Sequence, residues 1–415
     1  MQSIKKFKED KLKDVCVLVT DGTHDSPKLQ KEGIPFIKGK HISKGYIDFD
    51  NCDYIRYDDH LQVIKRSKPE RGDILFSNIG SVGDTAFIDT DIEFSIKNVA
   101  LLKPNTEKIL NKYLYYCVKS EEFQNKIKSI LSGVAQPFIG LDTLRNFTIK
   151  YHKDLTDQAN ISSILSAYDD LIENNTRRIR ILEEMAQAIY REWFVEFRLP
   201  AVAGAPGVKL RKTTPEEKKA IGKDVIPERW GVVELGEIAH QVRRSIKPNG
   251  LNSTVNYIGL EHLPRKSIAL SEWEKTSYIG STKLSFQKRE VLFGKIRPYF
   301  HKVGIAPVNG LCSSDIIVIS PIEVKHTNII LSITSSDHFV KYATITSQGT
   351  KMPRANWDVL KKYPVVMPGT NIIDRFNRIV GNMIDLIHKL IFRNHNLRQT
   401  RDLLLPKLVS GEVEV

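Results

Sequence analysis

Cysteine is scarce in this chain, and familiar catalytic motifs are missing from it. Only Cys16, Cys52, Cys117 and Cys312 occur in 415 residues, with no CxxC among them. That excludes a zinc ribbon and a disulfide framework and points to reduced, buried thiols in a cytoplasmic protein. No window approaches the roughly 20 continuous apolar residues that cross a bilayer. The first ten residues carry positive charge with no apolar run behind them, unlike a secretory signal. There is no GxSxG elbow, no HExxH, no Gly-rich dinucleotide fingerprint, and no Asp/Asn-Pro-Pro-aromatic segment of an amino-methyltransferase. The nearest approach to a phosphate loop, Gly33 to His41, is one residue too long and ends in His41 where Ser or Thr would meet magnesium. Asp315 with Glu323-Val-Lys325 has the letters of a metal-dependent nuclease, but three residues this common match by chance. The eleven histidines show no metal-ligand spacing, so neither a metal nor a catalytic residue is expected.

Acidic residues are in short supply as well. Lys and Arg total 62 against 49 Asp and Glu, a net charge of +13 and a pI near 9.3. A basic surplus of that size favours a polyanionic partner, nucleic acid above all. Composition is otherwise ordinary, 41% apolar and 27% charged, as in a folded globular chain. At roughly 150 residues per domain the length suggests two or three domains.

What is present is one plan used twice. Gly133, Pro137, Asp142 and Leu144 fall on Gly349, Pro353, Asp358 and Leu360, all at an offset of 216. Arg71-Gly-Asp-Ile-Leu-Phe pairs with Lys288-Arg-Glu-Val-Leu-Phe at 217. A period this long is a domain duplication, not a solenoid repeat. The globular parts read as mixed and strand-rich. Ile34–Ile37, Asp73–Phe76, Thr85–Ile88 and Val99–Leu102, then Glu290–Phe293, Val303–Val308 and Asp315–Ser320, are short apolar runs near turn residues. Supporting helices are expected to begin at Lys112 and Ile329.

Each half closes on a heptad pattern. Ile161, Leu165, Tyr168, Ile172, Asn175, Ile179, Leu182, Ala186, Ile189 and Trp193 step by alternating four and three residues. Phe376, Val380, Met383, Ile387, Leu390, Asn394, Leu397, Arg401, Leu404 and Leu408 repeat the rhythm, with Arg401 as the one break. An isolated core helix drifts out of such a pattern, so the two are expected to pair as a coiled coil within one molecule. About 33 residues at ~1.5 Å each make a rod of roughly 50 Å. Asn175 and Asn394 sit on the seam, where a polar residue fixes register. Between the halves, Pro200 to Gly231 reads as an extended, exposed connection. The organisation expected is 1–155 globular, 156–199 helix, 200–231 linker, 232–370 globular and 371–415 helix.

Several segments carry a family resemblance. Ile226-Pro-Glu-Arg-Trp-Gly-Val-Val-Glu-Leu-Gly-Glu-Ile, Glu183-Glu-Met-Ala-Gln-Ala-Ile-Tyr-Arg-Glu-Trp-Phe-Val-Glu-Phe and Leu403-Leu-Leu-Pro-Lys-Leu-Val-Ser-Gly-Glu-Val are similar to recurring segments of one family. So are Arg71-Gly-Asp-Ile-Leu-Phe and Gly310-Leu-Cys-Ser-Ser-Asp. Together they resemble the DNA-specificity (S) subunit of type I restriction–modification systems over nearly the whole chain. The resemblance implies an α+β fold: two homologous mixed α/β target-recognition domains separated by two long helices in an intramolecular antiparallel coiled coil. It implies that each domain reads one half of a split, asymmetric site in double-stranded DNA, with the helices as a ruler. Two methyltransferase subunits would methylate adenines with S-adenosylmethionine, and restriction subunits would use ATP and Mg2+. This chain would bind no cofactor itself. A metal-dependent nuclease or a structural coiled-coil adaptor are the competing readings.

DNA affinity needs Lys and Arg for phosphates, and base reading needs polar side chains on loops. In the first domain these are Lys38, Lys40, His41, Lys44, Tyr46, Asn78, Ser81, Lys97 and Asn98. In the second they are Arg243, Arg244, Lys247, His262, Arg265, Lys266, Lys295, Arg297, Tyr299, His301, Ser313, Ser314, Asp315, Lys351 and Arg354. Arg297 and Arg354 stand out, each in turn-like sequence between apolar runs. Arg177, Arg178 and Arg180 are assigned to the outward side of the first helix.

Overall fold

The computed structural model describes residues 6–43, 45–131, 137–199, 209–248, 251 and 253–415. The chain divides into two compact units, residues 1–172 with 396–415, and residues 173–395. Each unit joins one globular domain to part of both long helices. Among the described residues no helix is long and apolar enough to cross a membrane.

The first domain is built on an antiparallel sheet ordered Cys16–Asp21, Ala100–Pro104, Ile74–Phe76, Thr85–Phe87. The second repeats it as Ala239–Val242, Ile316–Pro321, Val291–Gly294, Val303–Ile305. The apolar runs in the sequence supply the inner strands because both faces of those strands are covered. Ile316 to Ile319 are all buried. A two-stranded ribbon closes each domain, Phe7–Lys11 on Thr148–His152 and Gly231–Glu234 on Pro364–Met367. A smaller sheet in each holds one parallel pair, Phe36 beside Ser95 and Tyr257 beside Leu311. Helices Asn111–Lys119, Glu121–Leu131 and Leu141–Arg145 recur as Thr327–Thr334, Asp337–Ile345 and Trp357–Leu360, each starting 216 residues later. The duplication read from a few matching letters is thus a duplication of topology.

The central helix spans Leu155–Tyr190 and continues as one π turn, Arg191–Val195. The C-terminal helix spans Thr370–Ser410 with Pro406 inside its last turns. Every heptad position is buried or half-buried. Leu165, Ile172, Ile179, Val380, Ile387 and Leu390 are buried, each contributing about 1.5–3 kcal/mol. Leu182, Ile189, Leu397 and Leu404 are half-buried.

Within the second unit the helices run antiparallel. Asn175 Nδ2 donates to Asn394 Oδ1 at 2.8 Å, while the Trp193 ring lies 6.1 Å from Phe376. Within the first unit Arg401 forms an ion pair with Asp169, whose other oxygen accepts from the Tyr116 hydroxyl at 2.8 Å. The break at Arg401 is therefore filled by a paired charge. The C-terminal helix also buries Ile373, Ile384, His388 and Ile391 in the second domain's core. That second apolar face is why its stripe is wider than a coiled-coil seam.

The connection departs from the extended, exposed chain expected of it. Residues 200–208 lie outside the described ones, but Leu210–Lys212 pairs with Val225–Pro227 around a short helix, Pro215–Ile221. Thr214 and Glu217 form a reciprocal capping box, and Gly222 ends the helix at φ 67°. Arg211 clamps Glu217 with two 2.7 Å bonds and donates to the Trp230 carbonyl at 3.0 Å. Composition suggested a linker, but capping chemistry and a bidentate ion pair fold it.

Candidate nucleic-acid interface

The same loops recur at matching places in both domains. Lys38 N–H donates to His41 Nδ1 at 3.1 Å, and Gly259 N–H donates to His262 Nδ1 at 2.9 Å. Ile79 bridges Phe138, and Ile296 bridges Arg354. The next residue turns left-handed in each case: Gly80 at φ 81° and Arg297 at φ 48°. Gly80 N–H donates to Pro137 O, and Arg297 N–H to Pro353 O at 2.7 Å. Glycine adopts that conformation freely, whereas an L side chain costs about 1–2 kcal/mol. One backbone frame thus presents different chemistry in each domain.

In the second domain the loops draw together a cationic cluster. Ala355 N–H donates to Lys295 O at 2.9 Å, and Lys295 N–H to Asp315 O at 3.0 Å, fastening three segments. Lys295 Nζ donates to Ser314 O at 2.6 Å and lies 3.6 Å from Asp315, which Arg354 approaches at 3.9 Å. The Arg265 guanidinium sits 4.2 Å from the Phe300 ring centre and Arg297 5.9 Å from it. Tyr299, Lys351 and Ser314 are exposed, and Ser313 is half-buried. Lys266, Arg297 and His301 all hold positive φ. Such strain persists only where surrounding contacts over-determine it, as loop-fixing sites do.

The first domain is more self-paired. Lys38 and Lys40 reach Asp53 at 2.7 and 3.6 Å, and the Lys38 bond holds that carboxyl below its usual range. Lys97 Nζ donates to Asp25 O at 2.9 Å and to the Ser26 hydroxyl. Asn98, at φ 52°, bonds His24 through its side chain at 2.9 Å. Tyr46 and Ser81 are exposed, while Lys44 lies outside the described residues.

Several expected contacts are corrected by burial. His41 is 3% exposed, its ring accepts from the backbone, and burial pushes its pKa down, so it is a neutral turn cap. His262 caps the equivalent turn. Asn78 is 1% exposed, and His301 is buried with Nε2 donating to Ser335 O at 2.9 Å. Arg244 is committed to the buried Glu290 carboxylate. Arg243 is exposed and bonds Gln241, and Lys247 is exposed. Phe300 and Phe138 were not anticipated. The 216-residue offset could have found Phe138, which occupies the place of Arg354.

Among the described residues, Asp315 and Glu323 do not assemble a nuclease centre. Asp315 faces Lys295 and Arg354, and Glu323 pairs with Lys325 at 2.8 Å. Glu261, His262 and Glu274 form the one metal-like cluster among the described residues. His262 Nδ1 already accepts a hydrogen bond, which leaves the ring proton on Nε2 and no lone pair for an ion.

Residues 4–184 match the family described as type I restriction modification DNA specificity domain. The HindI specificity subunit of Haemophilus influenzae is 26% identical over 405 residues, covering 83% of this chain and 87% of that one. The MjaIX specificity subunit of Methanocaldococcus jannaschii is 25% identical over 321 residues, covering 74% and 70%. The chain is thus similar to type I specificity subunits along most of its length, with the family model itself matching residues 4–184. A crystal structure of an M. genitalium S subunit shares its fold, at TM-score 0.56 and 15% identity over 99% of this chain and 98% of that one. Specificity subunits are the non-catalytic, DNA-addressing components of these systems and as a family carry no cofactor. Their recurring segments have physical roles here. Trp193, Phe194, Phe197 and Trp230 form an aromatic cluster with Phe376. Leu405, Leu408 and Val409 enter the first domain's core, where His152 Nε2 donates to Leu408 O at 3.1 Å.

Proposed function

We propose that this chain is a type I specificity subunit that reads a bipartite, asymmetric DNA site, one half through each domain, and directs adenine N6-methylation and restriction by partner subunits. The observation that carries this is the repeated loop frame with exchanged side chains: Gly80 for Arg297 and Phe138 for Arg354. Identical frames with different donors suit two different half-sites. Lys38, Lys40, Lys97, Lys266, Lys295, Lys351 and Arg354 supply backbone contacts, and Arg265, Arg297, Tyr299, Ser81, Asn98, Ser313 and Ser314 face bases. Lys44, which lies outside the described residues, and Arg243 would add phosphate contacts, and Tyr46 a polar one.

The paired helices set the distance between half-sites and carry two methyltransferase subunits, which hold S-adenosylmethionine. Restriction subunits hold ATP and Mg2+, and the assembly works on DNA in the cytoplasm. Exchanging residues 1–155 for another recognition domain should change one half-site alone; a change in both halves overturns the modular reading. Removing one heptad from each helix, in register, shortens the rod by roughly 10 Å, or about three base pairs. The half-sites should then keep their sequence and move closer.

A further inference from the structure

The second domain holds two arginines that share one aromatic ring. Neither Arg265 nor Arg297 has a carboxylate partner among the described residues, and both guanidinium groups lie against Phe300. Phe300 is itself braced by Tyr299, ring centres 4.9 Å apart. Arg297 adds a fixed backbone, for its N–H is bonded to Pro353 O and its φ is the left-handed 48° that Gly80 takes in the first domain. Its Nε is buried without a partner, and the one side-chain hydrogen bond it makes among the described residues is a 3.4 Å contact from Nη2 to Lys351 O. By contrast, Lys295 and Arg354 lean on Asp315.

A phosphate contact asks only for positive charge, which a mobile exposed side chain supplies. Holding an arginine at a strained backbone position, against an aromatic ring and away from carboxylates, fixes the plane of its donor fork. A fixed planar fork matches the O6 and N7 acceptors of guanine in the major groove, which lysine cannot match bidentately. We propose that Arg297 reads a guanine in the half-site of the second domain, with Arg265 stacked on the same ring as its support. This rests on the reading of the chain as a DNA-specificity subunit.

The test uses the full chain co-expressed with its methyltransferase subunit and a pool of randomised DNA duplexes. Arg297→Gly installs the residue the first domain uses at this turn, so it relieves strain and preserves folding. Arg297→Lys keeps the charge and removes the fork. The wild-type complex should select an invariant guanine in one half-site. Both variants should lose that preference by on the order of ten- to a hundredfold while retaining the other half-site. If Arg297→Lys selects the wild-type motif and Arg297→Gly weakens all sequences alike, with a salt slope lower by about one, Arg297 is a phosphate contact and the proposal is overturned. A wild-type complex that selects no motif overturns both this proposal and the reading beneath it.

Discussion

Asn175 and Asn394 meet on the seam of the two long helices, each 3% exposed, with an amide hydrogen bond of 2.8 Å between them. In a row of apolar neighbours this pair is satisfied only when the helices hold one register. Asn175→Ala removes a buried donor and should cost about 1–3 kcal/mol in chemical denaturation. Replacing both with Leu should raise stability while blurring the register. Inter-helix cysteine cross-linking at neighbouring positions would then give several products where the native chain gives one.

Arg401 should behave as a buried charge. Its side chain is 12% exposed and its partner Asp169 is 27% exposed. Breaking such a pair from one side is costly, while replacing both sides by apolar groups is tolerated. Asp169→Asn or Arg401→Met alone should therefore lower stability by about 3–5 kcal/mol. The double Leu variant should recover most of that loss. A double variant as unstable as the worse single one would contradict this account.

His388 should make the fold acid-sensitive. Burial first, then Arg289 and Lys288, lower its pKa to about 4, with Asp385 opposing them. The ring is neutral in the folded protein, so the unfolded chain binds the extra proton between its ordinary value near 6.5 and 4. Its contribution of about 2–4 kcal/mol is present above pH 6.5 and is lost as pH falls through 4. His388→Leu should flatten the dependence of the denaturation midpoint on pH across that window. An unchanged slope would show that the histidine does not cause it.

Glu183 holds a recognition loop to the central helix. One carboxylate oxygen accepts from the Ser267 hydroxyl at 2.7 Å and from the Ile268 and Ala269 amides at 2.7 and 2.9 Å. Burial raises its pKa against the lowering effect of those bonds. Glu183→Ala leaves two buried amides without that acceptor and should cost about 2–4 kcal/mol. Faster hydrogen exchange at Ile268 and Ala269 would locate the loss, and Glu183→Gln should retain most of the protection because its carbonyl still accepts.

The seam and the inner strands were legible because each is a local pattern: heptads in the helices, and short apolar runs such as Ile316 to Ile319. The ribbon of Phe7–Lys11 on Thr148–His152 was not, since its pairing spans the first domain and its residues are largely polar. Site residues were legible by chemical type only. Sequence cannot distinguish a histidine that caps a turn, as His41 does, from one that reaches a ligand. Nor does it show that Arg297 and Arg265 share Phe300, which folding alone brings between them. The capping box at Thr214 and Glu217 could have been read, but the surrounding charge and proline hid it.

On the proposed function, this chain supplies a two-part DNA address. Co-expression with its methyltransferase subunit, followed by genome-wide mapping of N6-methyladenine, tests it most directly. A split motif, two defined half-sites around an unspecified spacer, should appear only when this chain is present. A contiguous motif, or the same methylation without the chain, would contradict it.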